Sequence, residues 1–188
     1  KQKNASSVQS NLESALRTLL RHPVTVQGAS RTDSGVHAFQ QVATFATAQP
    51  YSPSWLSGLN ALTPRSLGAY QLQPVASDFD PTRHAKAKIY RYQIWLGRCF
   101  QPFLAPYVWS TWGDLDLELL RQEARKIIGK HDFVSFCAKD SSAKKTVREV
   151  YDVRVIQKGP LLSIWFCGHG FLKQMVRILV GTLMEQAL

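Results

Sequence analysis

Residues 146–168 read TVREVYDVRVIQKGPLLSIWFCG, two runs rich in β-branched and aromatic side chains joined by the sequence QKGP. Runs of this kind are typical of strands, and the Gly-Pro dipeptide is typical of a turn. The segment therefore predicts an antiparallel hairpin. Upstream, KIYRYQIWL at 88–96 alternates between two dissimilar faces and predicts another strand. DLDLELLRQEARKIIG at 114–129 predicts a helix that ends at Gly129.

The stretch after the hairpin, FLKQMVRILVGTLMEQAL at 171–188, predicts a helix with a broad apolar stripe. Lys173 and Arg177 are one turn apart on a different face, which Gly181 continues by another turn. A solvated cation on an amphipathic helix is the ordinary interpretation of Arg177. The alternative is that an arginine with a glycine one turn further along the same face lets another group pack closely against the helix.

The N-terminal part of the chain carries shorter patterns typical of helices and of strands. Cap-forming serines precede a run of apolar residues at helical spacing, which Pro23 closes, and a second helix follows Pro53. The predicted elements are a helix within 6–23, strands at 24–29 and 39–46, a helix within 52–62 and a strand at 68–75.

The polar segment DFDPTRH at 78–84 is the best candidate for a domain boundary. It divides the chain into halves 1–84 and 85–188. Each half mixes strands and helices without regular βαβ alternation. The sequence therefore predicts an α+β fold, with helices packed on one face of a largely antiparallel sheet.

Composition narrows the range of partners and compartments. The 188 residues carry a net charge of +10, and the pI near 9.8 favours an acidic partner, most often nucleic acid. The three cysteines lack a CxxC pair, which argues against a secreted disulfide framework and favours a reducing, cytoplasmic location. No zinc-binding spacing and no membrane span is found, so no metal and no membrane association is predicted.

The stretch GASRTDSGVHAFQQVATF at 28–45 concentrates Arg31, Asp33 and His37 in seven residues beside two glycines. Asp and Gly between two strands ordinarily form only a turn. An aspartate kept ionised by a guanidinium group can also act as a nucleophile or a base. In the same way, tyrosines in the 88–96 strand are ordinary packing residues, but in a basic protein Tyr90 or Tyr92 can stack on an unpaired base.

Four motifs taken together resolve these alternatives. RTDSGVHA at 31–38, KIYRY at 88–92, GKHDFVSF at 129–136 and GFLKQMVRILVGTL at 170–183 occur in this order and resemble the TruA family of tRNA pseudouridine synthases. The usual first motif is RTDAGVHA, so only Ser34 departs from it.

The resemblance implies two similar α+β halves whose sheets join side by side, with a basic cleft between them for tRNA. It implies a homodimer and an isomerase without metal or organic cofactor. The substrates in the family are uridines of the anticodon stem-loop, at positions 38, 39 and 40 of the tRNA.

The resemblance also implies roles for individual residues. Asp33 corresponds to the catalytic aspartate and Arg31 to the arginine beside it. Tyr90 corresponds to the tyrosine that contacts the target base, and Arg177 to the helix arginine that pairs with the aspartate. His37, in the same motif as Asp33, is expected to contact the substrate.

The sequence leaves the chemical route open. Asp33 attacks C1′ or C6, or it abstracts the 2′ proton of the sugar. Arg31 is expected to fill the space left by the flipped base or to hold the phosphate backbone, and Tyr90 to stack on the uracil and handle the C5 proton.

The sequence also departs from the family pattern. The first strand of the N-terminal half, with its YDG-type motif, and the segment after the last helix have no match, and both are expected in the native gene product. The alternative function is a non-catalytic module that binds or folds tRNA on the same scaffold. A magnesium-dependent phosphoryl-transfer enzyme is disfavoured because no carboxylates cluster around Asp33.

Overall fold

The computed structural model of the chain describes residues 7–99, 101–141 and 143–188. Helices and strands are mixed along the chain, which confirms the α+β class predicted from the sequence. Residue contacts group the chain into two compact units. The first unit contains the chain up to Arg31 together with Ala38–Ala85, and the second contains Thr32–His37 together with Lys86–Leu188.

The first unit has two helices and a short antiparallel sheet. Ser7 and Ser10 form a reciprocal capping box at the start of the first helix, each side chain accepting a hydrogen bond from the backbone N–H of the other. Ala15, Leu16, Leu20, Val26 and Leu59 form its buried core. The elements are α1 (Val8–Leu20), β1 (Gln27–Gly28), β2 (Ala43–Thr44) and α2 (Ser54–Leu62).

The predicted strand at 68–75 is wrong. Among the described residues the segment pairs with no other strand, and side chains bond to some of its backbone groups. The Asn60 amide donates to the carbonyl oxygen of Ala69 at 2.6 Å and accepts from the Ala69 N–H at 2.7 Å. The Tyr51 hydroxyl donates to the carbonyl oxygen of Leu72 at 2.9 Å.

The second unit contains a five-stranded sheet in the order β4-β3-β7-β6-β5. All neighbouring strands are antiparallel except β3 and β4, which are parallel. The predicted hairpin is confirmed as β6 and β7, with a turn at Gly159, where φ is +57°. The strands are β3 (Lys88–Leu96), β4 (Trp109–Thr111), β5 (Gly129–Asp132), β6 (Val147–Lys158) and β7 (Leu161–Gly168).

The two helices of the second unit are shorter than their sequence signals. α3 (Leu117–Arg125) begins at the cap Asp116 and ends before Gly129, which has a φ of +117° and begins β5 instead. α4 (Met175–Ala187) begins after Gln174, whose φ is +59°. The expected face shared by Lys173 and Arg177 is therefore wrong, because Lys173 precedes the helix.

Alternate residues of β7 build the core of the second unit. Leu162, Ile164 and Phe166 have no exposed surface and pack with residues of α4 such as Met175 and Val180. Burial of each large apolar side chain contributes about 1.5–3 kcal/mol. This packing fixes α4, and with it Arg177, against one face of the sheet.

Candidate active site

The sheet topology brings two of the predicted site residues to the same end of the second unit. Because β3 and β7 are antiparallel, the start of β3 lies beside the end of β7, where Tyr90 pairs with Phe166. From Gly168 the chain turns through residues 169–174 into α4, and Arg177 is the third residue of that helix. Tyr90 and Arg177 are therefore both near this end of the sheet.

Arg177 contacts the loop that carries Asp33. Its Nη2 donates a hydrogen bond to the main-chain carbonyl oxygen of Ser34 at 3.0 Å, and its Nε lies 3.9 Å from Oδ2 of Asp33. The second distance is that of an ion pair and lies beyond hydrogen-bonding reach. The guanidinium group thus holds the backbone of the loop directly and faces the carboxylate as a nearby charge.

Both charged side chains remain accessible to solvent. The Asp33 side chain is 37% exposed and the Arg177 side chain is 44% exposed. An ion pair with this exposure contributes only about 0–1 kcal/mol to stability. The pair therefore contributes little to the stability of the fold and leaves both charged groups accessible to a ligand.

The Asp33 loop (Thr32–His37) is a tight turn. The Val36 N–H donates to the carbonyl oxygen of Asp33 at 3.2 Å, and Gly35 has a φ of +77°. A positive φ at the third position of a turn is readily adopted only by glycine or asparagine. The Gly of the motif is therefore needed for the conformation that presents Asp33.

His37, at the other end of the Asp33 loop, packs against Tyr107. The two ring centroids are 4.6 Å apart and the planes are tilted by 55°. Both side chains are exposed, Tyr107 by 55%. The Asp33 loop thus contacts the rest of the second unit through Arg177 on one side and through Tyr107 on the other.

Tyr90 is supported by an aromatic neighbour. Its ring meets that of Phe171 edge-on, with centroids 5.0 Å apart and planes at 75°. Phe171 lies close to the backbone at the end of β7, since a Cβ added to Gly168 would be 3.2 Å from its Cζ. The position of Tyr90 therefore depends on how tightly β7 and the following turn are packed.

The turn before α4 is also held by hydrogen bonds with a neighbouring loop. Lys173 Nζ donates to Oδ2 of Asp140, and the Ala138 N–H donates to the carbonyl oxygen of Lys173 at 3.1 Å. The hydrogen bond from Lys173 lowers the pKa of the Asp140 carboxyl group below its usual value. These contacts hold the segment that leads into Arg177.

Arg31 differs from the other predicted site residues in its location. Its side chain is exposed, and it groups with the first unit, whereas Asp33, two residues later, groups with the second. Among the described residues, no group of three or more His, Cys, Asp or Glu side chains is arranged to hold a metal ion. In the same part of the chain, no helix has the length and apolarity to cross a membrane.

Sequence reasoning missed three parts of the site. The carbonyl oxygen of Ser34 has no sequence signal, since every residue carries one. The sequence pattern at Phe171 indicates only membership of an apolar stripe. Tyr107 lies outside the four motifs, and its Pro-Tyr context indicates no more than a turn.

Comparison with known proteins identifies the class to which this fold and site belong. Residues 1–81 and 124–187 match the family model described as tRNA pseudouridine synthase. The chain belongs to the tRNA pseudouridine synthase family, which confirms the resemblance found in its motifs.

Individual relatives narrow the similarity to one kind of synthase. The tRNA pseudouridine synthase A of Myxococcus xanthus is 41% identical over 186 residues, which cover 98% of this chain and 70% of that protein. The protein of the same name from Citrifermentans bemidjiense is 40% identical over 186 residues, covering 98% and 74%. That of Geobacter sp. (strain M21) is 38% identical over 185 residues, covering 98% and 75%.

Proposed function

We propose that this chain isomerises uridine to pseudouridine in tRNA, with Asp33 as the essential carboxylate. The observation that supports this most directly is the contact of Arg177 with the Asp33 loop. It places a fixed positive charge 3.9 Å from a carboxylate that remains accessible to a substrate. The family membership of the chain supplies the class of reaction.

The reaction requires a group with the properties of Asp33. The N1–C1′ glycosidic bond breaks, the uracil rotates, and a C5–C1′ bond forms while C5 loses its proton and N1 gains one. Asp33 attacks C1′ or C6, or removes the 2′ proton, and in each case it must be ionised. The Arg177 guanidinium places a positive charge 3.9 Å from this carboxylate. The product is an isomer of the substrate, so the balance of atoms and electrons calls for no redox cofactor.

The other predicted residues act on the base and the backbone. The target uridine must leave the RNA stack, at a cost of a few kcal/mol. Tyr90 stacks on the uracil and its hydroxyl group handles the C5 proton, while the edge-on Phe171 ring supports the Tyr90 ring. Arg31 fills the vacated space or holds a phosphate, and His37 contacts RNA beside the target.

The proposed substrate is the anticodon arm of tRNA, with uridines 38, 39 and 40 as targets, and the proposed assembly is a cytoplasmic homodimer. The charge of +10 supports binding to the phosphate backbone. The three free thiols Cys99, Cys137 and Cys167 are consistent with a reducing compartment.

The proposal is tested by tritium release. Full-length protein is incubated with tRNA labelled with tritium at uracil C5, and release to water is followed for wild type, Asp33→Asn and Asp114→Asn. Asp114 is a matched control because it lies near the far end of α4. Asp116, two residues further along the chain, donates its N–H to the carbonyl oxygen of Ala187 at that end. At 1.5 Å per residue, that end is about 15 Å from Arg177 along the helix.

We expect release by wild type and Asp114→Asn and none by Asp33→Asn. The tRNA affinity of Asp33→Asn should stay within several-fold of wild type, because phosphate contacts dominate binding, and it should fall steeply with added salt for both. Binding without release by wild type would instead support the non-catalytic tRNA-binding module. Release by Asp33→Asn at the wild-type rate would contradict the role of Asp33.

A further inference from the structure

The Asp33 loop is held at two points by the rest of the second unit, and of the two partners outside the loop only Arg177 belongs to the four motifs. Arg177 holds the loop near Asp33 through the carbonyl oxygen of Ser34. Tyr107 contacts the end of the loop through the ring of His37. The other contact described above for the segment from Gly35 to His37 is the hydrogen bond from the Val36 N–H to Asp33, which lies inside the loop itself.

Tyr107 is a rigid support for this purpose. Its N–H donates to the carbonyl oxygen of Leu104 at 2.8 Å, and the Val108 N–H donates to the same oxygen at 3.1 Å. Pro106 precedes it and restricts the backbone. Trp109 then begins β4, which pairs with β3 opposite Ile94. The backbone of Tyr107 is thus fixed between a turn and a sheet strand.

The geometry of the ring contact is that of an attractive aromatic pair. A centroid separation of 4.6 Å and a tilt of 55° lie within the range of favourable aromatic arrangements. The Tyr107 hydroxyl group takes part in no hydrogen bond among the described contacts, so the ring supplies the interaction. His37 is four residues from Asp33, so a shift at His37 passes directly into the turn that carries the carboxylate.

We infer that Tyr107 is a positioning residue, whose ring fixes the end of the Asp33 loop through His37 and thereby sets the position of the Asp33 carboxylate. This inference rests on the proposed function of Asp33. A positioning role can be told apart from base stacking by Tyr107. A positioning residue changes turnover more than affinity for tRNA, whereas a stacking residue changes affinity more than turnover.

The test compares Tyr107→Leu with Tyr107→Phe in full-length protein. Tyr107→Leu removes the ring, and Tyr107→Phe keeps it without the hydroxyl group. Phe103→Leu is the matched control, because Phe103 is 90% exposed on the same segment. Three quantities are measured: kcat for tritium release, the Kd for tRNA, and hydrogen exchange of the Val36 amide, which bonds to Asp33 across the turn.

We expect Tyr107→Leu to lower kcat by about two- to tenfold, the factor equivalent to one aromatic contact. Its Kd should change by less than twofold, and Val36 should exchange faster. Tyr107→Phe should have the wild-type kcat, Kd for tRNA and exchange rate of Val36. Phe103→Leu should leave kcat and the exchange rate unchanged. In the double variant with His37→Leu, the loss in kcat should be no larger than that of the more damaging single variant, because the two rings act through one contact.

Three outcomes would overturn the inference. Unchanged kcat and exchange in Tyr107→Leu would remove the positioning role. A raised Kd with unchanged kcat would make Tyr107 a base-stacking residue instead. A Tyr107→Phe variant as impaired as Tyr107→Leu would assign the effect to the hydroxyl group. If wild type releases no tritium, the proposed function fails, whereas the exchange of Val36 still tests the contact.

Discussion

Replacing Gly168 with alanine adds one methyl group where β7 ends and the chain turns towards the candidate site. The new Cβ would lie 2.7 Å from the carbonyl oxygen of Glu149 and 3.2 Å from Cζ of Phe171. The first distance is shorter than real Cβ contacts allow. The Glu149 oxygen also accepts a hydrogen bond from the His169 N–H at 3.1 Å, and Glu149 pairs with Lys130 of β5. The backbone that would have to move is therefore held from two sides.

The expected cost follows from these distances. Overpacking a tightly packed site costs about 1–3 kcal/mol. Alanine in place of glycine regains about 0.5–1 kcal/mol in backbone entropy. Taking the middle of both ranges, we expect the free energy of unfolding to fall by about 1.3 kcal/mol, which for a chain of this size corresponds to a Tm lower by about 3–5 °C.

Gly181→Ala is the matched control for this substitution. Gly181 lies in the middle of α4, and a Cβ added there meets no atom within 4 Å. The same methyl group should raise the free energy of unfolding by about 0.5–1 kcal/mol, because alanine favours the helix. Urea unfolding of both variants measures the two effects, and their opposite sign is the specific expectation.

Gly168→Ala should also affect catalysis. The methyl group displaces Phe171, and the Phe171 ring meets Tyr90, so kcat should fall in Gly168→Ala more than the affinity for tRNA does. A Gly168→Ala variant as stable as wild type, or one that moves in the same direction as Gly181→Ala, would refute the packing argument. Reduced stability with unchanged kcat would refute the link from Gly168 to Tyr90.

Three further predictions follow from single contacts. Ser34→Ala should keep kcat within twofold of wild type, because Arg177 bonds to the main-chain oxygen of Ser34; a larger loss in the tritium assay would implicate the hydroxyl group. Gly35→Ala should lower kcat and should lower the free energy of unfolding by at most about 1–2 kcal/mol, because that is the cost of an L residue at φ +77°; equal kcat would show that the turn is not needed. Hydrogen bonds from the Arg83 backbone and side chain and from Thr82 lower the pKa of Asp80 from 3.8 to about 2, so this carboxylate stabilises the fold above pH 3.8 and loses that effect as pH falls towards 2. Asp80→Asn lacks this group, so urea unfolding at pH 4 and pH 2 should show a smaller decrease in stability for the variant than for wild type; equal decreases would contradict the lowered pKa.

Much of the fold was predictable because its signals are local. The capping box at Ser7 and the paired runs of β6 and β7 depend on residues close together in the chain. The motif loop with Asp33 and the helix with Arg177 were likewise recognisable from short stretches. Local signals failed at 68–75, where the amide of the distant Asn60 bonds to both backbone groups of Ala69.

The sequence by itself determined the family, the α+β class and the identity of the candidate carboxylate, because these depend on short patterns and on the order of four motifs. The tertiary structure decided which atoms meet. Arg177 bonds to Ser34 across 143 residues, and Tyr107 meets His37 across 70, at separations for which periodicity and turn chemistry carry no information. Only the packing of α4 on the sheet and the pairing of β3 with β4 and β7 fix these side chains around the Asp33 loop.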